Sequence, residues 1–150
     1  MAGLWFEEFE VGKVYDHAFS RTVTEADNMW FCNATLNTQP LHIDFHMAAQ
    51  TEFGRPLVNS LFTLGLVIGM TVTETTLGTT VGNLAMTDIN FPRPVFHGDT
   101  LRARTTIRSK RESRSRPRDG IVTFYHEGIN QHGEVVLDCV RTGLMRKRPA

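Results

Sequence analysis

Two hydrophobic rhythms divide the chain. Over residues 57–73 (LVNSLFTLGLVIGMTVT) apolar side chains leave no continuous polar face, which is the pattern of a helix buried all round. Asn59, Ser60, Thr63 and Thr71 interrupt it, and a membrane span needs about 18–20 apolar residues. Gly65 and Gly69, four apart, are poor helix formers, so their use is expected to be close approach of other backbone. Beyond this stretch the period falls to two. Residues 100–108 set Leu101, Ala103, Thr105 and Ile107 against Arg102, Arg104, Thr106 and Arg108, a half-buried strand.

Weaker patterns fill in the rest. Residues 7–13 read as a solvated lead-in with a turn at Gly12, and 15–23 as a first strand. Thr24 with Asp27 three residues on forms a near capping box, opening a helix whose buried side is expected to be Met29, Trp30, Phe31 and Ala34. Pro40 ends it by disfavouring helical geometry at Gln39. Residues 44–53 read as a short helix capped by Asp44, and 79–91, 121–129 and 135–145 as strands. Gly133 supplies the turn of a hairpin between the last two. One strand, short helices, a long buried helix and four strands give an α+β fold with a largely antiparallel sheet.

Composition narrows the function. The chain has 150 residues, the length of one domain over residues 1–150, with 16 basic residues against 16 acidic. That balance argues against a dedicated nucleic-acid binder. Cys32 and Cys139 show no metal or disulfide spacing, so no metal site is expected and a reducing cytoplasmic compartment fits. The N-terminal segment carries no secretory pattern, and no membrane association is expected. Residues 108–118 (RSKRESRSRPR) read either as a solvated loop or as a docking patch for phosphate.

The densest polar cluster is Asn37-Thr38-Gln39-Pro40-Leu41-His42, followed by Asp44. A lone loop histidine is more often structural than catalytic, but its surroundings resemble a known signature. Residues 31–65 (FCNATLNTQPLHIDFHMAAQTEFGRPLVNSLFTLG) are similar to the MaoC-like dehydratases, the R-specific enoyl-CoA hydratases, whose pattern is G-D-x-N-P-[LI]-H followed by the opening of a central helix. Residues 91–101 (FPRPVFHGDTL) resemble a second family pattern, F-x-x-P-V-x-x-G-D-T-[LI]. The segments NTQPLH, FGRPLVNSLFTLGLVIG and LGTTVGNL look most like the mesaconyl-CoA hydratase, or β-methylmalyl-CoA dehydratase, branch.

The resemblance implies a hot-dog fold, in which an antiparallel sheet wraps one long helix and the sheets dimerise. It also implies reversible hydration of a 2-enoyl-CoA, with no cofactor beyond the CoA of the substrate. His42 takes the place of the family's catalytic His, while Asn37 stands where the family has Asp and Gln39 where it has Asn. An amide orients water but takes up no proton, which leaves His42 as the motif's general base. The helix start implies the Ser60 N–H as oxyanion donor, with Asn59 supporting it or, on the residues alone, both as helix caps. Arg114, Arg116 and Arg118 are expected on the CoA phosphates, and Arg55 or Arg93 on a second substrate carboxylate. The expected assembly is a homodimer or a dimer of dimers. His97 and Asp99 read mainly as turn residues, His126 and Asp138 as exposed strand positions. The alternatives are a non-catalytic acyl-CoA-binding subunit and a hot-dog thioesterase, the latter disfavoured because residues 57–73 hold no carboxylate.

Overall fold

Five antiparallel strands form one sheet in a computed structural model that describes residues 3–149. They are β1 (Val14–Thr22), β2 (Thr80–Asn90), β3 (Thr100–Glu112), β4 (Asp119–Ile129) and β5 (Val135–Arg146), ordered β1-β3-β4-β5-β2. Four helices join them: α1 (Glu25–Ala34), α2 (Pro40–Ile43), α3 (Phe45–Ala48) and α4 (Ser60–Thr75). The expected α+β order is therefore the one found. Residues 1, 2 and 150 of the expected domain lie outside the described range. No helix among the described residues is long and apolar enough to cross a membrane.

The alternation along β3 decides how helix and sheet meet. Leu101, Ala103, Thr105 and Ile107 are fully buried, and α4 packs on this face through Val67. The closest approach falls on the sheet: a Cβ at residue 128 would come within 2.6 Å of Val67 Cγ2, so Gly128 lets the helix settle. Nothing lies within 4 Å of a Cβ built at Gly65 or Gly69. Those two glycines lie on an exposed stripe of α4 with Leu61 and Thr73. The helix expected to be buried all round thus has one uncovered face within this chain.

Other boundaries shift for physical reasons. The helix starts at Ser60 rather than Leu57, because Leu57 bridges Phe96 in extended geometry and Val58 N–H donates to the Val95 carbonyl at 2.9 Å. The stretch expected as a helix over 44–53 holds only α3, while Pro40 opens α2 just before it. In α1 the capping box forms as read, with Asp27 N–H on Thr24 Oγ1 at 3.2 Å. Its buried residues are Asn28 and Cys32, whereas Trp30 is 69% exposed. The lead-in over 7–13 is only partly solvated. Phe9 is fully buried, edge-on to Phe124 at 5.5 Å, in a second core with Phe6, Ile107 and Met145. Finally, β3 runs on to Glu112 by pairing with β4, which shortens the basic loop.

Candidate active site

The N-terminus of α4 leaves one donor unspent. Asn59 caps the helix, its Oδ1 accepting the Leu61 N–H at 3.0 Å. Its own N–H donates to Asn28 Oδ1 at 2.8 Å. The first N–H groups of a helix have no partner within it, and the Ser60 N–H finds none elsewhere among the described residues. The positive end of the helix dipole adds to its pull on negative charge. Asn59 is buried, and its Nδ2 turns inward to Cys32 Sγ at 3.8 Å. The cap role is therefore the one this geometry gives it.

His42 comes from α2, where Pro40 occupies a first-turn position whose missing N–H costs no helical bond. Its Nδ1 lies 2.9 Å from the Leu57 carbonyl oxygen. A carbonyl only accepts, so Nδ1 carries the proton and Nε2 keeps its lone pair. The half-buried ring is fixed in the tautomer that a general base requires. Asn37 closes a small turn, its Oδ1 accepting the Gln39 N–H at 3.1 Å, and that oxygen keeps a second lone pair. Gln39 is exposed.

Asn28 ties these pieces together, and sequence reasoning missed it. It is fully buried, and its Nδ2 lies 3.2 Å from the His42 carbonyl, 3.0 Å from the Leu57 carbonyl and 3.0 Å from His97 Nε2. Two amide hydrogens are shared among three acceptors. Because Asn28 donates, His97 accepts in its neutral form, and burial lowers the pKa of that ring. The available signal was an Asn on the same helix face as Cys32, four residues on, in a segment otherwise chosen for its large apolar residues. Asp99 behaves as the turn residue it was read to be, accepting the Phe96 N–H at 2.8 Å.

A cavity of about 240 Å³ opens beside this end of α4, lined by Ser60, Thr63, Arg93, Val58, Val95 and Val136 among others. Arg93 stands at its rim, 3.4 Å from Glu134. Arg55 instead covers the Phe96 ring at 3.8 Å. The structure thus links His42, Leu57 and Asn59 through Asn28 and puts Arg93 in the same cavity as Ser60, a cavity that His42 does not line. Arg114, Arg116 and Arg118 lie elsewhere, on the β3–β4 connection. Trp5 shares a cleft with Arg116 and Arg118, and the neighbouring Leu4 N–H binds the Thr75 carbonyl at the C-terminal end of α4. Sixteen helical residues at about 1.5 Å each put roughly 24 Å between the two ends.

A second histidine cluster meets the C-terminal end of α4. His17 Nε2 is 2.8 Å from Thr105 Oγ1, which is 2.9 Å from His126 Nδ1, and His17 Nδ1 meets Glu74 of the helix. His126 is fully buried, which corrects its reading as an exposed strand position: it falls on the β4 face turned toward α4. Burial, helped by the Arg141 guanidinium and His17, holds its pKa well below the usual imidazole range. No three metal-binding side chains cluster among the described residues.

The MaoC like domain matches residues 7–128. The chain is 34% identical to the mesaconyl-CoA hydratase of Cereibacter sphaeroides over 98% of this chain and 42% of that one. It is 31% identical to the beta-methylmalyl-CoA dehydratase of Chloroflexus aurantiacus over 97% and 41% respectively. A Mycobacterium tuberculosis protein with a double hot-dog fold superposes with a TM-score of 0.88 at 24% identity, over 98% of this chain and 45% of that one. The sheet around α4 is a hot-dog, and the chain spans under half the length of these two curated relatives. Both expected motifs, 31–65 and 91–101, fall inside the matched residues, and the chain belongs to the MaoC like domain family.

Proposed function

We propose that this chain adds water reversibly to the double bond of a 2-enoyl-CoA, giving a 3-hydroxyacyl-CoA, with residues 1–150 acting as one hot-dog unit. The observation that carries this reading is the fixed tautomer of His42, held on the carbonyl of Leu57 three residues ahead of the unspent Ser60 N–H. Nε2 takes a proton from water as its oxygen bonds to C3. Charge developing on the thioester oxygen is met by the Ser60 N–H, and the imidazolium returns the proton to C2. Asn37 orients the water but takes up no proton, so His42 serves both steps. CoA enters only as part of the substrate. The mesaconyl-CoA and β-methylmalyl-CoA names of the relatives favour a branched dicarboxylic acyl group.

The same reading pairs the unit with a second one, as a homodimer or a dimer of dimers. Phe19 on edge strand β1, Leu84 on edge strand β2 and Leu61 on α4 are exposed apolar side chains, and open sheet edges are normally paired or covered. Two buried, unpaired cysteines fit a reducing cytoplasm. Incubation with a panel of enoyl-CoAs tests the chemistry, following loss of the conjugated double bond beside release of free thiol. Loss of the double bond alone is expected. Thiol release would make the chain a thioesterase, and neither signal would make it an acyl-CoA-binding subunit. Sedimentation tests the assembly, a stable micromolar monomer counting against it.

A further inference from the structure

Asn28 faces three acceptors, and one of them is unlike the others. Its Nδ2 lies 3.2 Å from the His42 carbonyl, 3.0 Å from the Leu57 carbonyl and 3.0 Å from Nε2 of His97. A carbonyl oxygen accepts at every pH, whereas a ring nitrogen accepts only while it carries no proton. His97 is the one contact of the three that a proton reverses.

The amide has no second orientation that would suit a protonated ring. Asn28 is fully buried, and its Oδ1 accepts the Asn59 N–H at 2.8 Å. Turning the amide over to offer Oδ1 to an imidazolium would set Nδ2 against that N–H, donor facing donor, and would take its hydrogens from both carbonyls. Left as it is, the amide nitrogen accepts no hydrogen bond. Either way the hold of Asn28 loosens. What it holds is the machinery of the proposed reaction. One carbonyl belongs to His42, the Leu57 carbonyl also takes the His42 Nδ1 proton at 2.9 Å, and Asn59 directly precedes the unspent Ser60 N–H.

The surroundings of His97 fix the ring and keep it uncharged. Its turn is tied to the residue ahead of the Thr24 cap: the Gly98 N–H donates to the Val23 carbonyl and the Val23 N–H to that of Asp99, both at 2.8 Å. Phe45 of α3 lies against the ring, centroids 5.9 Å apart. Burial lowers the pKa, the Glu25 carboxylate of α1 opposes that shift, and the Arg55 guanidinium ahead of α4 adds to it. Asp99 of the same turn is engaged by the Phe96 N–H and Gln131.

We propose that His97 is a positioning residue for the hydration: its uncharged ring completes the hold of Asn28 on His42 and on the head of α4, and a proton on that ring releases it. This rests on the hydratase reading for the roles of His42 and Ser60. His97 acts through Asn28 and not on the substrate, so its loss should appear in kcat more than in KM.

Two variants separate the acceptor from the titration. His97→Gln keeps an acceptor at similar reach that takes up no proton, and His97→Leu keeps bulk without an acceptor. The substrate is crotonyl-CoA or mesaconyl-CoA, whichever the wild type turns over faster. At pH 8 His97→Leu should lower kcat by about tenfold with little change in KM, while His97→Gln stays within about twofold of the wild type. The second readout is log(kcat/KM) between pH 8 and 5, which reports the free enzyme. A proton on His42 alone gives an acid limb of slope one. The wild type should steepen beyond one, and His97→Gln should return to it. Circular dichroism at each pH confines the comparison to folded protein. Full kcat in folded His97→Leu would overturn the proposal, as would acid limbs of the same shape in the wild type and His97→Gln; both leave the hydratase reading standing. A wild type that hydrates no enoyl-CoA would sink that reading, and this proposal with it.

Discussion

Two histidine clusters meet α4, one at its N-terminus and one toward its C-terminal end, and they differ in what their open groups face. In the second cluster His17, Thr105 and His126 bond to one another in a chain that ends on Glu74; His126 Nε2 is buried without a partner there, but no cavity described above opens on it. At the N-terminus Asn28 takes up the groups that need holding and leaves two unspent, His42 Nε2 and the Ser60 N–H. A buried histidine by itself does not mark a site; an unspent atom beside a cavity does.

The largest expected effect follows from that contrast. His42→Ala should lower kcat for enoyl-CoA hydration by about 10²–10⁴-fold, the usual share of general acid–base catalysis. The melting temperature should change little, because the half-buried ring makes one modest bond to Leu57. A variant with full activity would move the chemistry elsewhere, with His97 the first place to look.

Asn28→Ala strikes the scaffold rather than the chemistry. It unpairs the Asn59 N–H and removes the donor from the His42 and Leu57 carbonyls. Stability should fall by about 1–3 kcal/mol in denaturant unfolding, the cost of leaving buried partners unmet. In the fraction that stays folded, kcat should fall more than KM changes. An unchanged kcat in that fraction would reduce Asn28 to a purely structural residue.

The basic connection is a smaller matter. Arg116 is committed to the carboxylate of Asp119 at 2.6 Å, so the informative change is Arg114→Gln with Arg118→Gln. If these hold CoA phosphates, KM should rise by about two- to thirtyfold with kcat unchanged, since exposed charge contacts contribute about 0.2–1 kcal/mol each and two are removed. Arg118 shares its cleft with Trp5, near the C-terminal end of α4 rather than at Ser60, which keeps this expectation below the first two.

The second cluster should declare itself through stability, not activity. Burial first, then Arg141 and His17, lowers the pKa of His126 in the folded chain. The unfolded chain binds that proton more readily, so stability is full above about pH 6.5 and is lost as pH falls below it. His126→Gln removes the titrating group, and its unfolding midpoint in urea should fall less steeply between pH 7 and 5. His97, lowered by burial as well, supplies part of the remaining slope. Parallel slopes for the two proteins would remove His126 from the acid response.

How much of this was legible in the sequence follows the range of the interactions. The period-two pattern of β3 and the capping box at Thr24 are local, and both read correctly. The start of α4 did not, because Leu57 is held by Phe96, thirty-nine positions away. The burial of Phe9 and His126 also depends on partners distant in the chain. Of the candidate site residues, Asn37, His42 and Ser60 were expected from family motifs, whereas Asn28 was not. Its role arises from which hydrogen bonds the fold fills, and no local pattern records that.

The smallest expected change returns to the unspent groups. Asn37 already gives one lone pair of its Oδ1 to the Gln39 N–H, and an Asp there preserves that turn at nearly the same size. The new carboxylate oxygen adds a proton acceptor where the amide offered a donor. If Asn37 only orients water, Asn37→Asp should hold kcat for crotonyl-CoA or raise it a few-fold, the second oxygen sharing the work of His42. The charge has a separate consequence: it repels a substrate that carries its own carboxylate. KM should therefore rise for mesaconyl-CoA and stay level for crotonyl-CoA. A rise in KM for both would mean that the Asn37 amide donates to a part of the substrate common to the two, and that His42 works without a positioned partner in the loop.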